Sequence, residues 1–223
     1  MEVRKAVKIA VIGATGYVGA PISREALARG HDVTAISRSG ALPDGIRAQA
    51  RSVDIFDSDV LARALQGHAA AIHAFNPGRG RTDSAVFDTF VRGHEAIIGA
   101  AQGAGVSRLL CVGGAGSLKT RDGIPLMDSP DWPREFDAYK DGVRGTRQLY
   151  YLLQKTEGID WVFLSPSSML IPGPRTGNYR VGTDCLLYDE AGKSHISLAD
   201  YACAMIDELE SPAHHCQRFT VGY

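Results

Sequence analysis

Apolar residues along this chain fall into two rhythms: short, largely β-branched runs, and longer stretches in which they return every three or four positions. The runs at 7–12, 33–36, 48–53, 69–74, 107–112, 159–164 and 218–221 predict strands. The nearly unbroken apolar character of 7–12 fits a central parallel strand covered on both faces. Between the strands, 16–29, 57–66, 84–103, 132–157 and 198–209 predict helices, and within 84–103 Phe87, Phe90, Val91, His94 and Ile98 recur at helical spacing. Asp57 or Ser58 is placed to cap the second of these, and Pro133 suits the first position of the fourth. Alternating strands and helices imply an α/β fold, a doubly wound parallel sheet with right-handed crossovers, built as one domain over 1–223. The stretch 166–195 breaks the alternation. Rich in Gly, Pro, Ser and Arg and placed after the sixth strand, it reads as a small C-terminal substrate-side excursion carrying a short hairpin.

The turn that ends the first strand holds the first chemical signal. Gly13-Ala14-Thr15-Gly16-Tyr17-Val18-Gly19 spaces three glycines three apart between a strand and a helix. Gly13 permits the tight turn, Gly16 lets backbone approach a pyrophosphate, and Gly19 lets the helix lie close to the strand. The helix start supplies N–H groups and a positive dipole end for an anion, which nominates a dinucleotide held by Gly13, Thr15, Gly16, Tyr17, Val18 and Gly19. The second strand ends Ala35-Ile36-Ser37-Arg38-Ser39, with no carboxylate for the ribose hydroxyls, and Asp32 lies at its other end. Arg38 stands where a 2′-phosphate would sit, so NADP(H) is preferred over NAD(H) as cofactor; a solvated loop arginine is the alternative. After the third strand, Asp54-Ile55 occupies the position that would flank adenine, with an aspartate capping the next helix as the other reading.

Composition narrows the class only modestly. The 223 residues are 44% hydrophobic and 22% charged, with a net charge of −1, which suits one globular domain and gives no sign of nucleic-acid or membrane binding. No apolar stretch approaches the ~20 residues of a membrane span. The opening residues lead directly into the first strand, and the four cysteines are scattered, so a reduced, cytoplasmic chain without a leader is expected. Neither a metal-ligand spacing nor an internal repeat is present, and the adjacent His214-His215 pair predicts a solvated surface feature.

Gly13–Gly19, Ala74-Phe75-Asn76-Pro77-Gly78, Gly113-Gly114-Ala115-Gly116-Ser117-Leu118, Phe163-Leu164-Ser165-Pro166 and the tail Gln217-Arg218-Phe219-Thr220-Val221-Gly222-Tyr223 resemble the atypical short-chain dehydrogenase/reductases. Within that superfamily the likeness is to the NADH-flavin reductase group, relatives of biliverdin-IXβ/flavin reductase and of nitrogen-regulator-type NADP sensors. The resemblance spans essentially the whole chain and implies a Rossmann-type sheet. It places Ala74, Phe75 and Asn76 beside the nicotinamide-side ribose, Ser165 and Pro166 over the nicotinamide, and Ser117 as a catalytic candidate. Ordinary loop chemistry at strand ends is the competing reading for each.

Most members of the superfamily use a Tyr-x-x-x-Lys pair, in which the lysine lowers the tyrosine pKa. The literal match, Tyr151-Leu152-Leu153-Gln154-Lys155, falls at the far end of its helix, on the order of 20 Å along the axis from the helix start. Counting back from Pro166, the family's tyrosine position is near Tyr139, whose i+4 partner is Val143. Tyr139 is therefore a catalytic candidate without a lysine, or a surface tyrosine. Ketone reduction requires a placed proton donor, whereas hydride transfer to a flavin- or quinone-like acceptor requires mainly stacking and proximity. The sequence thus favours an NAD(P)H-dependent reductase of a small-molecule acceptor. The alternative is a non-catalytic NADP-binding sensor, and an epimerase-like activity is a weaker third. Arg175 and Arg180 could bind an anionic acceptor or stabilise a hairpin, and self-association stays open.

Overall fold

A computed structural model describes residues 6–42, 45–78 and 80–223. Its strands are β1 (Lys8–Ile12), β2 (Asp32–Ser37), β3 (Gln49–Ser52), β4 (Ala70–His73), β5 (Arg108–Val112), β6 (Asp160–Pro166), β7 (Met169–Ile171), β8 (Arg180–Gly182), β9 (His195–Ser197) and β10 (Gln217–Gly222). The α-helices are α1 (Gly19–Ala28), α2 (Ser58–Leu65), α3 (Val86–Gly103), α4 (Lys140–Leu153) and α5 (Leu198–Glu210). Eight strands form one sheet in the order β3-β2-β1-β4-β5-β6-β10-β8, parallel except for the last pairing. This is the doubly wound α/β fold that the alternation predicts.

Residue alternation along β1 shows why both faces must be covered. Ile9 and Val11 pack with Ile22, Ala26, Tyr201 and Met205 of α1 and α5 on one face. Ala10 and Ile12 pack with Leu61, Leu65, Ile97, Leu149 and Leu153 of α2, α3 and α4 on the other. β2 pairs with one side of β1 and β4 with the other, so successive crossovers leave in opposite directions. A crevice opens at such a switch point, beyond the carboxyl ends of the strands.

Four sequence expectations are corrected. The region 132–157 is not one helix: Arg134–Tyr139 forms a 3₁₀ turn without a buried residue, and α4 begins only at Lys140 and stops at Leu153. The first helix starts at Gly19 rather than 16, and the third at Val86 rather than 84. The stretch 166–195 holds no hairpin: β7 pairs in parallel with β9, and β8 pairs antiparallel with β10. Each partner lies beyond the reach of a local pattern. Of the two cap candidates for α2, Asp57 is the one used, its carboxylate accepting from the Val60 amide at 3.1 Å.

Candidate functional site

The glycine turn forms the middle of a cleft of about 630 Å³ across the carboxyl ends of β1, β2, β4 and β5. Gly13 takes φ 83°, and a Cβ there would stand 2.5 Å from the Ala74 carbonyl oxygen. Its amide donates to the Ile36 carbonyl at 2.9 Å, drawing the turn against β2. A Cβ on Gly19 would strike the Gly13 carbonyl, so α1 can reach the turn only with glycine there. Gly13, Thr15, Gly16, Tyr17 and Val18 line the cleft, while Gly19 lies behind it as the packing contact. Among the described residues no side chain caps α1, whose N-cap is Val18. Its positive end is left for a ligand.

At one end of the cleft stand Arg38, Asp54 and Ile55. Ser52 Oγ donates to the Arg38 carbonyl at 2.8 Å and fixes its backbone, and no carboxylate among the described residues pairs with its guanidinium. The Asp54 carboxylate accepts from the Phe56 amide at 3.0 Å, which shapes the turn after β3. Sequence reasoning missed Phe56. Its ring is 42% exposed on the cleft wall, with the Arg92 guanidinium 5.0 Å from its centre and Phe75 edge-on at 6.4 Å. Arg81, ion-paired with Asp83 at 2.7 Å, also lines the cleft and was likewise missed. An exposed aromatic beside a strand end was the one available signal, and it is weak.

Toward β5, the wall consists of Ala74, Phe75 and Asn76, then Phe90, His94, Gly113 and Thr146. Phe75 rests where a side chain on Gly93 would be, and Phe90 likewise fills the space at Gly145, so small residues bring α3 close to the chain after β4 and α4 close to α3. Behind this wall runs a buried hydrogen-bonded chain. The Phe75 amide meets His73 Nδ1 at 3.3 Å, His73 Nε2 meets His94 Nδ1 at 2.9 Å, and His94 Nε2 meets the Gly145 carbonyl at 3.2 Å. An amide can only donate, so both rings are neutral Nε2–H tautomers, each donating to the next acceptor. Burial drives both pKa values down, that of His94 to about 4.

The remaining candidates stand off the cleft wall. Ser117 closes the short turn Ala115–Ser117 beyond Gly113 and accepts a hydrogen bond from Arg218 at 3.0 Å. Tyr139 is 42% exposed at the start of α4. One turn on, Val143 packs where a side chain on Gly116 would lie. Ser165 and Pro166 are buried at the end of β6, opposite Thr220 and Val221 of β10, and Ser165 Oγ has no partner among the described residues. Tyr151 is exposed in the last turn of α4, and Lys155 follows that helix. Arg175 grips Glu25 and Arg180 grips the Tyr188 and Tyr223 carbonyls. His214 is not solvated as expected: it bonds Glu208 at 2.8 Å and stacks on Phe219 with centres 4.2 Å apart, because the chain turns back there to enter β10.

A glycine-built cleft across the carboxyl ends of a doubly wound sheet, beside an uncapped helix start, defines a nucleotide-binding α/β protein. The model of the NAD(P)H-binding family matches residues 13–212, and the chain belongs to that family. It is 39% identical over 220 residues to the uncharacterised protein YwnB of Bacillus subtilis, covering 96% of this chain and 97% of the relative. Among solved structures it is similar to a candidate epimerase of Bacteroides thetaiotaomicron, with 42% identity, TM-score 0.85 and 98% of each chain covered. It is also similar to a candidate NADH-flavin reductase of Streptococcus pneumoniae, with 34% identity, TM-score 0.81, and 97% and 99% covered. The resemblance to atypical short-chain dehydrogenase/reductases is borne out. Among the described residues no helix is long and apolar enough to cross a membrane.

Proposed function

We propose that the protein is a cytoplasmic NAD(P)H-dependent reductase that prefers NADP(H) and reduces a flat, conjugated acceptor such as a flavin or quinone. The observation that carries this reading is the pairing of a nucleotide cleft with Val143, packed against Gly116, one turn after Tyr139. With valine rather than lysine four residues after Tyr139, the lysine partner that ketone chemistry calls on is not at that position, which favours hydride transfer to a conjugated acceptor. The similarity to the candidate NADH-flavin reductase supports the same direction.

In this reading the whole chain acts as one domain. Gly13, Thr15, Gly16, Tyr17, Val18 and Gly19 hold the pyrophosphate, Arg38 the 2′-phosphate, and Asp54 and Ile55 the adenine side. Ala74, Phe75 and Asn76 flank the second ribose, Ser165 and Pro166 back the nicotinamide, and Ser117 and Tyr139 face the acceptor under 166–195. The cofactor, when bound, supplies a hydride. The chain's own work is to align it with an acceptor and exclude water from the stack.

Mixing the protein with NADPH and either FMN or menadione tests this directly, as loss of nicotinamide absorbance. Turnover of at least one acceptor is expected. Tight NADP(H) binding without turnover of flavins, quinones or dichlorophenolindophenol would replace the reductase with a redox sensor.

A further inference from the structure

Most serine hydroxyls near the ends of β6, β7 and β9 donate to the protein's own carbonyls. Ser167 Oγ donates to Val221 at 2.9 Å, Ser168 Oγ to Ser194 at 2.7 Å and Ser197 Oγ to Pro174 at 2.8 Å. Ser117 does the reverse. Its Oγ accepts from Arg218 Nη1 at 3.0 Å, its carbonyl accepts from the same nitrogen at 3.1 Å, and its own O–H finds no acceptor among the described residues. The residue is only partly buried, so that proton is available to a ligand.

The arginine is held firmly. Arg218 lies in β10 opposite Phe163, on the sheet face that α4 covers. Nε donates to Asp184 Oδ1 at 2.9 Å, Nη2 reaches the same oxygen, and the guanidinium carbon lies 4.5 Å from the centre of the Tyr150 ring. Its side chain is 6% exposed whereas that of Asp184 is 51% exposed. Asp184 thus anchors the Nε/Nη2 edge of the guanidinium, which aims the remaining nitrogen, Nη1, at Ser117. A hydroxyl whose oxygen accepts from a cation is a stronger donor than a free one.

We propose that Arg218 is a positioning residue that fixes Ser117 as a hydrogen-bond donor to the electronegative atom of the acceptor. This inference rests on the reductase reading and narrows its substrate class. The acceptor carries a carbonyl oxygen or ring nitrogen conjugated to the position that receives the hydride, as quinones and flavins do. As the C–H or N–H bond forms, negative charge moves onto that atom, and the Ser117 O–H stabilises it without giving up its proton. The proton that completes the reduced product comes from water, and the cofactor leaves oxidised.

A double-mutant cycle of Ser117→Ala and Arg218→Lys, with NADPH and menadione, tests the inference. Each single change is expected to lower kcat/KM for menadione about tenfold, the loss of one charge-assisted hydrogen bond. The double variant should be no worse than Ser117→Ala, with NADPH affinity within about twofold throughout. Arg218→Gln, which removes the cation but keeps a side-chain N–H, replaces Arg218→Lys in the cycle if the latter does not fold. Additive losses, or an unchanged Ser117→Ala enzyme, overturn the inference while leaving the reductase intact. If the wild type turns nothing over, the same cycle is read as menadione affinity of the NADP⁺ complex by tryptophan quenching. Non-additive losses there support the Ser117–Arg218 unit and sink the reductase; absence of menadione binding sinks both.

Discussion

In the proposed reading, Arg38 is the side chain that would decide between two cofactors that differ by a single phosphate. Its backbone is tied to Ser52, and no carboxylate among the described residues neutralises it. A guanidinium so placed gains about 1.5–3 kcal/mol from a phosphate, whereas a ribose hydroxyl gives it little. Arg38→Ala is therefore expected to weaken NADPH binding by about 10–100-fold and NADH binding by less than about threefold, read by calorimetric titration. Equal losses for both cofactors would remove the basis for the preference. Arg38 could be read in the sequence because its place is fixed by backbone position, at the end of a strand that lacks an acid. The glycines could be read for a similar reason, since only their spacing and the absence of Cβ matter. Phe56 could not, because its value depends on Phe75 and Arg92 meeting it from other elements. Nor could the orientation of Ser117, which is set by an arginine from the far end of the chain.

Among the elements, α4 shows most clearly where local patterning stops informing. Pro133 resembles a helix start, yet it is extended at ψ 117°, and nothing in Arg134–Tyr139 buries. The α-helix forms only where Gly145, Leu149 and Leu153 gain a surface to pack on. His94 was legible in the sequence as part of a helical stripe, but not as a link in the chain tying β4, α3 and α4 behind the cleft. That chain carries a pH consequence. The folded pKa of His94, about 4, lies below its ordinary 6.5, so the unfolded chain binds the proton more readily. Stability is complete above pH 6.5 and declines as pH falls from there toward 4. His94→Gln keeps an amide donor for the Gly145 carbonyl and removes the titration. Urea unfolding across that range should show a shallower acid loss in the variant, by on the order of 2–3 kcal/mol. Identical pH dependence in both proteins would show that the pair does not govern acid stability.

At the scale of the molecule, the question is what holds the irregular 166–195 excursion against a sheet completed by residues at the chain's end. Carboxylates on the helices do so, each gripped by the excursion. Glu25 of α1 is bonded by Arg175 at 2.8 Å and Arg29 at 2.7 Å, which hold its carboxyl below the usual range although burial opposes them. Asp207 takes the Tyr179 hydroxyl as well as Arg29. Asp200 is the central post. Fully buried at the start of α5, it accepts from the Thr176 amide at 2.8 Å, the Thr176 hydroxyl at 2.6 Å, the Gly177 amide at 2.8 Å and the Tyr223 hydroxyl at 2.6 Å. Burial would raise its pKa, yet these four donors keep it lowered. The alternation of strands and helices was legible because it repeats over short spans. This clasp was not, since it joins residues at 25, 175, 200 and 223 that share no local pattern. Asp200→Ala would leave two amides and two hydroxyls without their acceptor, at a cost of about 3 kcal/mol or more, a fall in Tm of roughly 6–12 °C. Asp200→Asn keeps one oxygen for the two amides, and the hydroxyls can turn to accept from its NH₂, so its loss should be less than half as large. Because the clasp fixes the excursion and not the glycine turn, NADPH affinity well below Tm should change less than about threefold in both variants. An Asp200→Ala protein that melts with the wild type would mean the excursion is held by its strand pairings and its contacts with Glu25 and Asp207 rather than by Asp200.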